Sequence, residues 1–299
     1  MTSDQGQGRP PENTLARARD TGRLAALSAT RSRVFVRNFA AEELLELLRD
    51  RGGTITPEDL ASYEPRWDEP VEAAYQGRRF LTRGGLAGVA ETLPGLPGLR
   101  GLSERDRVLA LVQALGSEGG GIGDTTNVVA VDAAGSACVL TTSLGLGSGD
   151  FLPGLDLHLN SMLGEADLVR APLRSGARME SMMAPSLALD DDELVLAVGA
   201  AGGTRLRTAL ATVVAGVLDE GLEPRPAVER PRVHNAGAVV NAEPGIDDDA
   251  LRELEGRGQA VRRWAERHHY FGGVSLVTPS GAAGDPRRSG SARLLREES

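Results

Sequence analysis

The residues best placed to do chemistry begin at Thr125. The tract Glu118-Gly119-Gly120-Gly121-Ile122-Gly123 runs through Asp124 into Thr125-Thr126 at the head of an apolar stretch. A threonine hydroxyl needs a base to act as a nucleophile. The α-amine of a chain that starts at that threonine can be the base, with a reference pKa of about 7.7–8.0. Self-cleavage before Thr125 would create that amine, and a glycine-rich lead-in gives the backbone the freedom to be cut. The same residues also fit an ordinary loop entering a Thr-rich strand. A second candidate is Gly202-Gly203-Thr204-Arg205 at a helix start, where backbone N–H groups can hold an anion or a developing oxyanion, although most such loops are only tight turns. Three further patterns are weaker. Gly145-x-Gly147-x-Gly149 lacks the spacing and following helix of a dinucleotide loop. Adjacent His268 and His269 would point to opposite faces of a strand. The triplets Asp190–Asp192 and Asp247–Asp249 lack the glycine and final glutamate of a calcium loop.

Several elements must position these groups. Val128–Asp132 and Ala137–Thr142 are expected as strands joined by the turn 132–136. Another strand pair, Leu187–Leu189 and Leu194–Val198, flanks the first Asp triplet, and 199–203 reads as a Gly/Ala loop. That loop opens a helix from about Thr204 to Glu220, with Leu206, Leu210, Val213, Val214 and Val217 on one face. Helices are also expected over Ala40–Arg51, after the cap-proline-acid signal Thr56-Pro57-Glu58-Asp59, over Glu104–Leu115, and from about Asp247 to Gly256. Residues 82–104 read as a loop, and Phe271–Val277 as a late strand. Strands with intervening helices give an α/β or α+β layered domain.

The ordered motifs resemble one family. Thr125-Thr126-Asn127-Val128-Val129-Ala130-Val131-Asp132, then Gly135 and Leu140-Thr141-Thr142-Ser143, are similar to the start of the small subunit of γ-glutamyltranspeptidases, which are N-terminal nucleophile hydrolases. Gly147-Ser148-Gly149, Asn160–Glu165, Arg178–Pro185, Gly199–Arg205, Pro231–His234 and Gly284–Arg287 follow in the family's order. Upstream, Gly52–Tyr63 resembles the later part of the large subunit. The resemblance implies an α+β fold, a four-layer αββα sandwich, shortened on its N-terminal side. It divides the chain into a disordered lead-in (1–20), a large-subunit-like remnant (21–124) and a small-subunit-like catalytic segment (125–299).

It also implies a γ-glutamyltransferase or hydrolase acting on glutathione-like amides, with water or an amino acid as acceptor and no cofactor or metal. By position Thr125 is the nucleophile, freed by cleavage after Asp124, and Ser143 is the second hydroxyl that bonds it. Gly202 and Gly203 form the oxyanion hole. Asn160, Glu165 (or Asp167 if the register slips) and Ser181 bind the substrate's polar groups. The chain departs from the pattern at Asn127, Gly145, Met162 and Met182, where the family has polar or different groups, and Glu180 adds a carboxylate. The family's carboxylate-pairing arginine lies in the part not matched, leaving Arg205 and Arg207 as candidates. A catalytically degenerate relative, or a fragment completed by a homo-oligomer or a separately encoded partner, is the alternative reading.

Composition bounds the remaining classes. The chain has 299 residues and a formal net charge of −9, and all 33 of its basic residues are Arg. The acidic balance argues against a general nucleic-acid binder. A 40% apolar fraction is enough for a core, and no run of about 18 apolar residues suggests a membrane span. One cysteine, Cys138, excludes an internal disulfide. Met1–Arg19 has no apolar signal core, so a cytoplasmic location is the expectation.

Overall fold

The computed structural model describes residues 41–116, 124–165, 168–169, 172 and 174–295. The lead-in expected at 1–20, the glycine tract 117–123 and Asp167 lie outside them. The described residues belong to two compact units.

The first unit includes residues 41–68 and 147–159. Helix α1 (Ala41–Asp50) falls where the Leu44/Leu45/Leu47/Leu48 face placed it. Helix α2 (Pro57–Ser62) starts with a full capping box: Thr56 Oγ1 accepts the Asp59 N–H, and Asp59 accepts the Thr56 N–H. Arg51 pairs with Asp150 at 3.1 Å. Gly147 and Gly149 both have φ near +80°, and a Cβ at Gly147 would meet the His158 ring at 2.2 Å. The Gly149 N–H donates to His158 Nε2 at 3.0 Å. These glycines therefore make a tight turn around an imidazole.

The second unit, residues 69–146 and 160–299, holds the main sheet. In chain order its elements begin with strands β1 (Val71–Tyr75) and β2 (Arg78–Thr82), then helices α3 (Val89–Thr92) and α4 (Glu104–Leu115). Strands β3 (Asp124–Val131) and β4 (Ala137–Gly145) follow. After the first unit's hairpin of β5 (Phe151–Leu152) and β6 (Leu157–His158) come β7 (Ser186–Asp190), β8 (Glu193–Ala201) and helix α5 (Leu206–Leu218). Helix α6 (Pro224–Glu229) leads to β9 (Val233–Asn235), β10 (Val239–Ala242), α7 (Asp248–Gly256) and β11 (Ala260–Arg263). Strands β12 (Gly273–Thr278) and β13 (Gly281–Gly284) close the chain.

Six strands form an antiparallel sheet in the order β1-β2-β7-β8-β12-β13. The β2–β7 pairing joins the upstream segment to the downstream one within a single sheet. Helix α5 packs on β8 and β12, and 11 of its 13 residues are buried. It is therefore a central core helix and not the one-faced helix expected. Leu196, Val198 and Ala200 of β8 share its hydrophobic cluster. The alternate residues Ala197, Gly199 and Ala201 are also buried, and the β3–β4 ribbon packs on this strand. Residues 199–201 are thus the end of β8, not a loop. Their small size reflects what covers them: a Cβ on Gly199 would stand 2.0 Å from Asn127 Nδ2.

The ribbon alternates cleanly. Thr125, Asn127 and Val129 are partly covered, whereas Val128 and Leu140 on the other face are more than half exposed. Within this second unit, helices, a six-stranded sheet and a two-stranded ribbon stack in layers. A second, small sheet, β11-β10-β9, packs with α4 and α7 around Val233, Val240, Leu251 and Leu254. No helix among the described residues is long and apolar enough to cross a membrane.

Candidate active site

Thr125 and Ser143 face each other across the ribbon, and Thr125 Oγ1 donates to Ser143 Oγ at 3.1 Å. Ser143 Oγ also accepts the Gly145 N–H at 3.1 Å. The ladder is regular from Thr125 to Val131 and shifts register between Asp124 and Thr125, at the bond expected to be cut. Such an irregularity re-aims the residues beside it. Asp124 enters only as the first residue of β3, since its side chain is not among those described.

Gly202 and Gly203 follow β8 directly and lead through a 3₁₀ turn into α5. Their φ values, +152° and +57°, lie where glycine is favoured. A Cβ on Gly202 would also stand 2.8 Å from Gly272 Cα. The loop is braced from behind: buried Arg205 donates from Nε to the Tyr270 carbonyl at 3.2 Å and lies over the Tyr270 ring. His269–Phe271 is a 3₁₀ turn, so β12 starts two residues later than the sequence suggested, and the His268 and His269 rings lie side by side with centroids 4.0 Å apart and planes tilted by 33°.

A cavity of about 20 Å³, room for a single water, joins these parts. Its polar wall is Thr125, Ser143, Glu165, Ser181 and the Gly203 backbone. Its apolar wall includes Met162, Met182, Met183, Leu168 and Leu206. Glu165 Oε1 accepts the Leu146 N–H at 2.9 Å, and a Cβ on Gly145 would collide with it at 2.2 Å. The glycine in place of a polar residue at 145 thus leaves room for the Glu165 carboxylate. Ser181 Oγ accepts the Met183 N–H at 3.1 Å, and the Ser181 carbonyl accepts the Leu86 N–H at 3.0 Å. Gly85 must lack a side chain there, since its Cβ would stand 2.6 Å from that carbonyl oxygen. The Gly84-Gly85 stretch of the upstream segment therefore positions a cavity residue nearly a hundred positions away.

Of the remaining expected site residues, Asn160 is exposed, accepts the Met162 N–H at 3.1 Å through Oδ1, and is not among the cavity-lining residues. Arg205 and Arg207, the candidates for holding a substrate carboxylate, are used elsewhere. Arg207 donates to the Leu115 carbonyl at 2.7 Å, securing the end of α4, and Arg205 braces the glycine loop as above. The apolar wall was not anticipated as a unit. Its signal was the methionine run Met179, Met182 and Met183 together with Met162. A larger cleft of about 860 Å³ runs along β3 from Asn127 to Ala133 beside β12 and residues 290–295. It contains neither Thr125 nor the glycine loop, so volume does not select the site.

A threonine hydroxyl at a strand start, a serine hydroxyl bonded to it and a Gly-Gly loop at the head of a core helix lie on a helix–sheet–ribbon stack. Together they define an α+β fold of the N-terminal nucleophile hydrolase type. The structure of a cephalosporin acylase from Bacillus halodurans superposes with a TM-score of 0.76 at 20% identity, covering 93% of this chain and 62% of that one. A γ-glutamyltranspeptidase from Pseudomonas nitroreducens gives 0.50 at 25% identity, over 57% of this chain and all of that one. The family model for gamma-glutamyltranspeptidase matches residues 5–115 and 110–295, and the chain belongs to that family. In sequence it is 29% identical over 177 residues to an acylase ACY 1 proenzyme of Pseudomonas sp. (strain V22), covering 54% of this chain and 30% of that relative. It is also 29% identical over 142 residues to a glutathione hydrolase proenzyme of Bacillus subtilis (strain 168), covering 46% of this chain and 24% of that relative. The matches thus span less than a third of either of these relatives.

Proposed function

We propose that the chain is an acyltransferase or hydrolase that cuts itself between Asp124 and Thr125 and then opens amide bonds with Thr125. The observation that carries this is the 3.1 Å Thr125–Ser143 hydroxyl pair in one cavity with the Gly203 backbone. In processing, Thr125 Oγ attacks the Asp124 carbonyl carbon, the peptide C–N bond breaks, and an ester links Asp124 to the Thr125 side chain. Water cleaves the ester and leaves Thr125 with a free α-amine. In turnover that amine takes the Thr125 hydroxyl proton as Oγ attacks the substrate amide carbon. The oxyanion is met by backbone N–H groups at Gly202 and Gly203. The proton passes to the departing amine, and water or an amino acid accepts the acyl group.

A glutathione-like γ-glutamyl donor draws support from Glu165 and Ser181, which line the cavity and suit an ammonium and a carboxylate oxygen. Support for the reaction class is broader than support for that donor. The test is Thr125→Ala. It should remain uncut and hydrolyse γ-glutamyl- and acyl-p-nitroanilides at the buffer rate, whereas amide turnover by this variant would place the nucleophile elsewhere.

A further inference from the structure

We infer that the acyl pocket beside Thr125 takes an uncharged aliphatic acyl group in preference to a γ-glutamyl group. The inference rests on the assignment of Thr125 as nucleophile. With the reacting carbonyl carbon at Thr125 Oγ1 and its oxygen toward Gly203, the rest of the acyl group must lie against the remaining wall. Five side chains of that wall are apolar: Met162, Leu168, Met182, Met183 and Leu206.

A substrate α-carboxylate placed here would find poor company. No arginine lines the cavity among the described residues. Arg205 and Arg207 are not among the cavity-lining residues and donate to the Tyr270 and Leu115 carbonyls, and Arg83, next to Gly84-Gly85, turns to the Gly84 carbonyl. The donors that line the cavity are hydroxyls and backbone N–H groups, and the Glu165 carboxyl group lines the same space. Burying that carboxylate without a cation is unfavourable, whereas a methylene chain loses nothing on leaving water. Methionine side chains are unbranched and shift readily, so a cavity of about 20 Å³ can widen around an alkyl chain.

The step balances without a co-reactant other than water. The Thr125 Oγ–acyl bond forms, the acyl–nitrogen bond breaks, and the hydroxyl proton leaves on the amine. Water then gives its OH to the acyl carbon and its remaining proton to Thr125 Oγ.

The experiment uses the purified full chain and compares acetyl-, butyryl-, hexanoyl- and γ-glutamyl-p-nitroanilide. Nitroaniline release is followed, together with intact mass for acyl-Thr125. The expected result is a kcat/KM that rises from acetyl to hexanoyl, with hexanoyl at least about tenfold above γ-glutamyl, the scale on which hydrophobic pockets discriminate one added methylene. In Met162→Asn/Met182→Ser the preference should move toward γ-glutamyl. A wild-type preference for γ-glutamyl, or no dependence on chain length, overturns the inference and leaves Thr125 chemistry standing. No turnover and no acyl-enzyme with any of the four overturns both.

Discussion

Replacing Gly202 by alanine is the sharpest test of the glycine loop. The new Cβ would lie 2.8 Å from Gly272 Cα, while carbon atoms in contact normally sit about 3.5–4.0 Å apart. The loop must therefore retreat by about 1 Å. A residue with φ of +152° also bears a backbone cost of about 1–3 kcal/mol once it has a side chain. Gly272 cannot easily yield, because it lies between the aromatic turn 269–271 and β12. A 1 Å displacement of a catalytic group costs about 10²-fold, and loss of one oxyanion donor about 10²–10³-fold in kcat. Gly202→Ala should therefore lower kcat by about 10²–10³-fold with KM little changed. Its melting temperature should fall by about 2–4 °C for each kcal/mol of strain. Gly237→Ala is the control: φ is +84° and nothing lies within 4 Å of its Cβ. It should show the strain in melting temperature but keep full kcat. A folded Gly202→Ala with unaltered kcat would refute the oxyanion assignment, and an equal kcat loss in Gly237→Ala would show only general loosening.

Two further outcomes follow from the packing. Gly145→Ala should push the Glu165 carboxylate off the Leu146 N–H and reshape the cavity wall. The loss of one hydrogen bond to a charged group, about 1.5 kcal/mol, corresponds to about a tenfold change in kcat/KM on whichever amide is turned over, and unchanged kinetics would remove Glu165 from the wall. Glu243→Gln should destabilise the fold by about 3–5 kcal/mol in a denaturant titration, because it strips the charge facing buried Arg287, and a loss under 1 kcal/mol would contradict this.

That last network explains two motifs that looked unrelated in the sequence. Pro231-Arg232-Val233-His234 and Gly284-Asp285-Pro286-Arg287 meet in the fold. Arg232 donates to Asp285 at 2.6 Å, and Arg287 bonds both Asp285 and Glu243. All four side chains are buried, so the cluster ties the small sheet to the end of the main one.

The longer helices were legible because their signals are local: the caps at Thr56 and Asp247 and the start of α4 at Glu104 stand as read. The short helices α3, inside the stretch 82–104 read as a loop, and α6 were not. Strand β3 was legible because Val128-Val129-Ala130-Val131 is an apolar run that ends at the turn 132–136. The β1–β2 hairpin was not, since its turn is Gln76-Gly77 with both φ values positive, and glutamine is a rare choice there. Its strands also carry Glu72, Arg78 and Arg79, which give no apolar alternation. Gly199–Ala201 read as a loop because composition cannot reveal that Asn127 packs over Gly199. Strands β9, β10 and β11 are only three or four residues long, too short for periodicity to register. Within the candidate site, Thr125, Ser143, Gly203, Glu165 and Ser181 line one cavity. The apolar wall and the duties of Arg205 and Arg207 depend on contacts between distant segments and carried no local mark.

Everything proposed for this chain depends on Thr125 gaining a free amine. The decisive measurement is intact mass with N-terminal sequencing of the purified protein after incubation. The account predicts two chains, the second beginning Thr125-Thr126-Asn127-Val128, and no such cut in Thr125→Ala. A single species that stays at 31.4 kDa would contradict it.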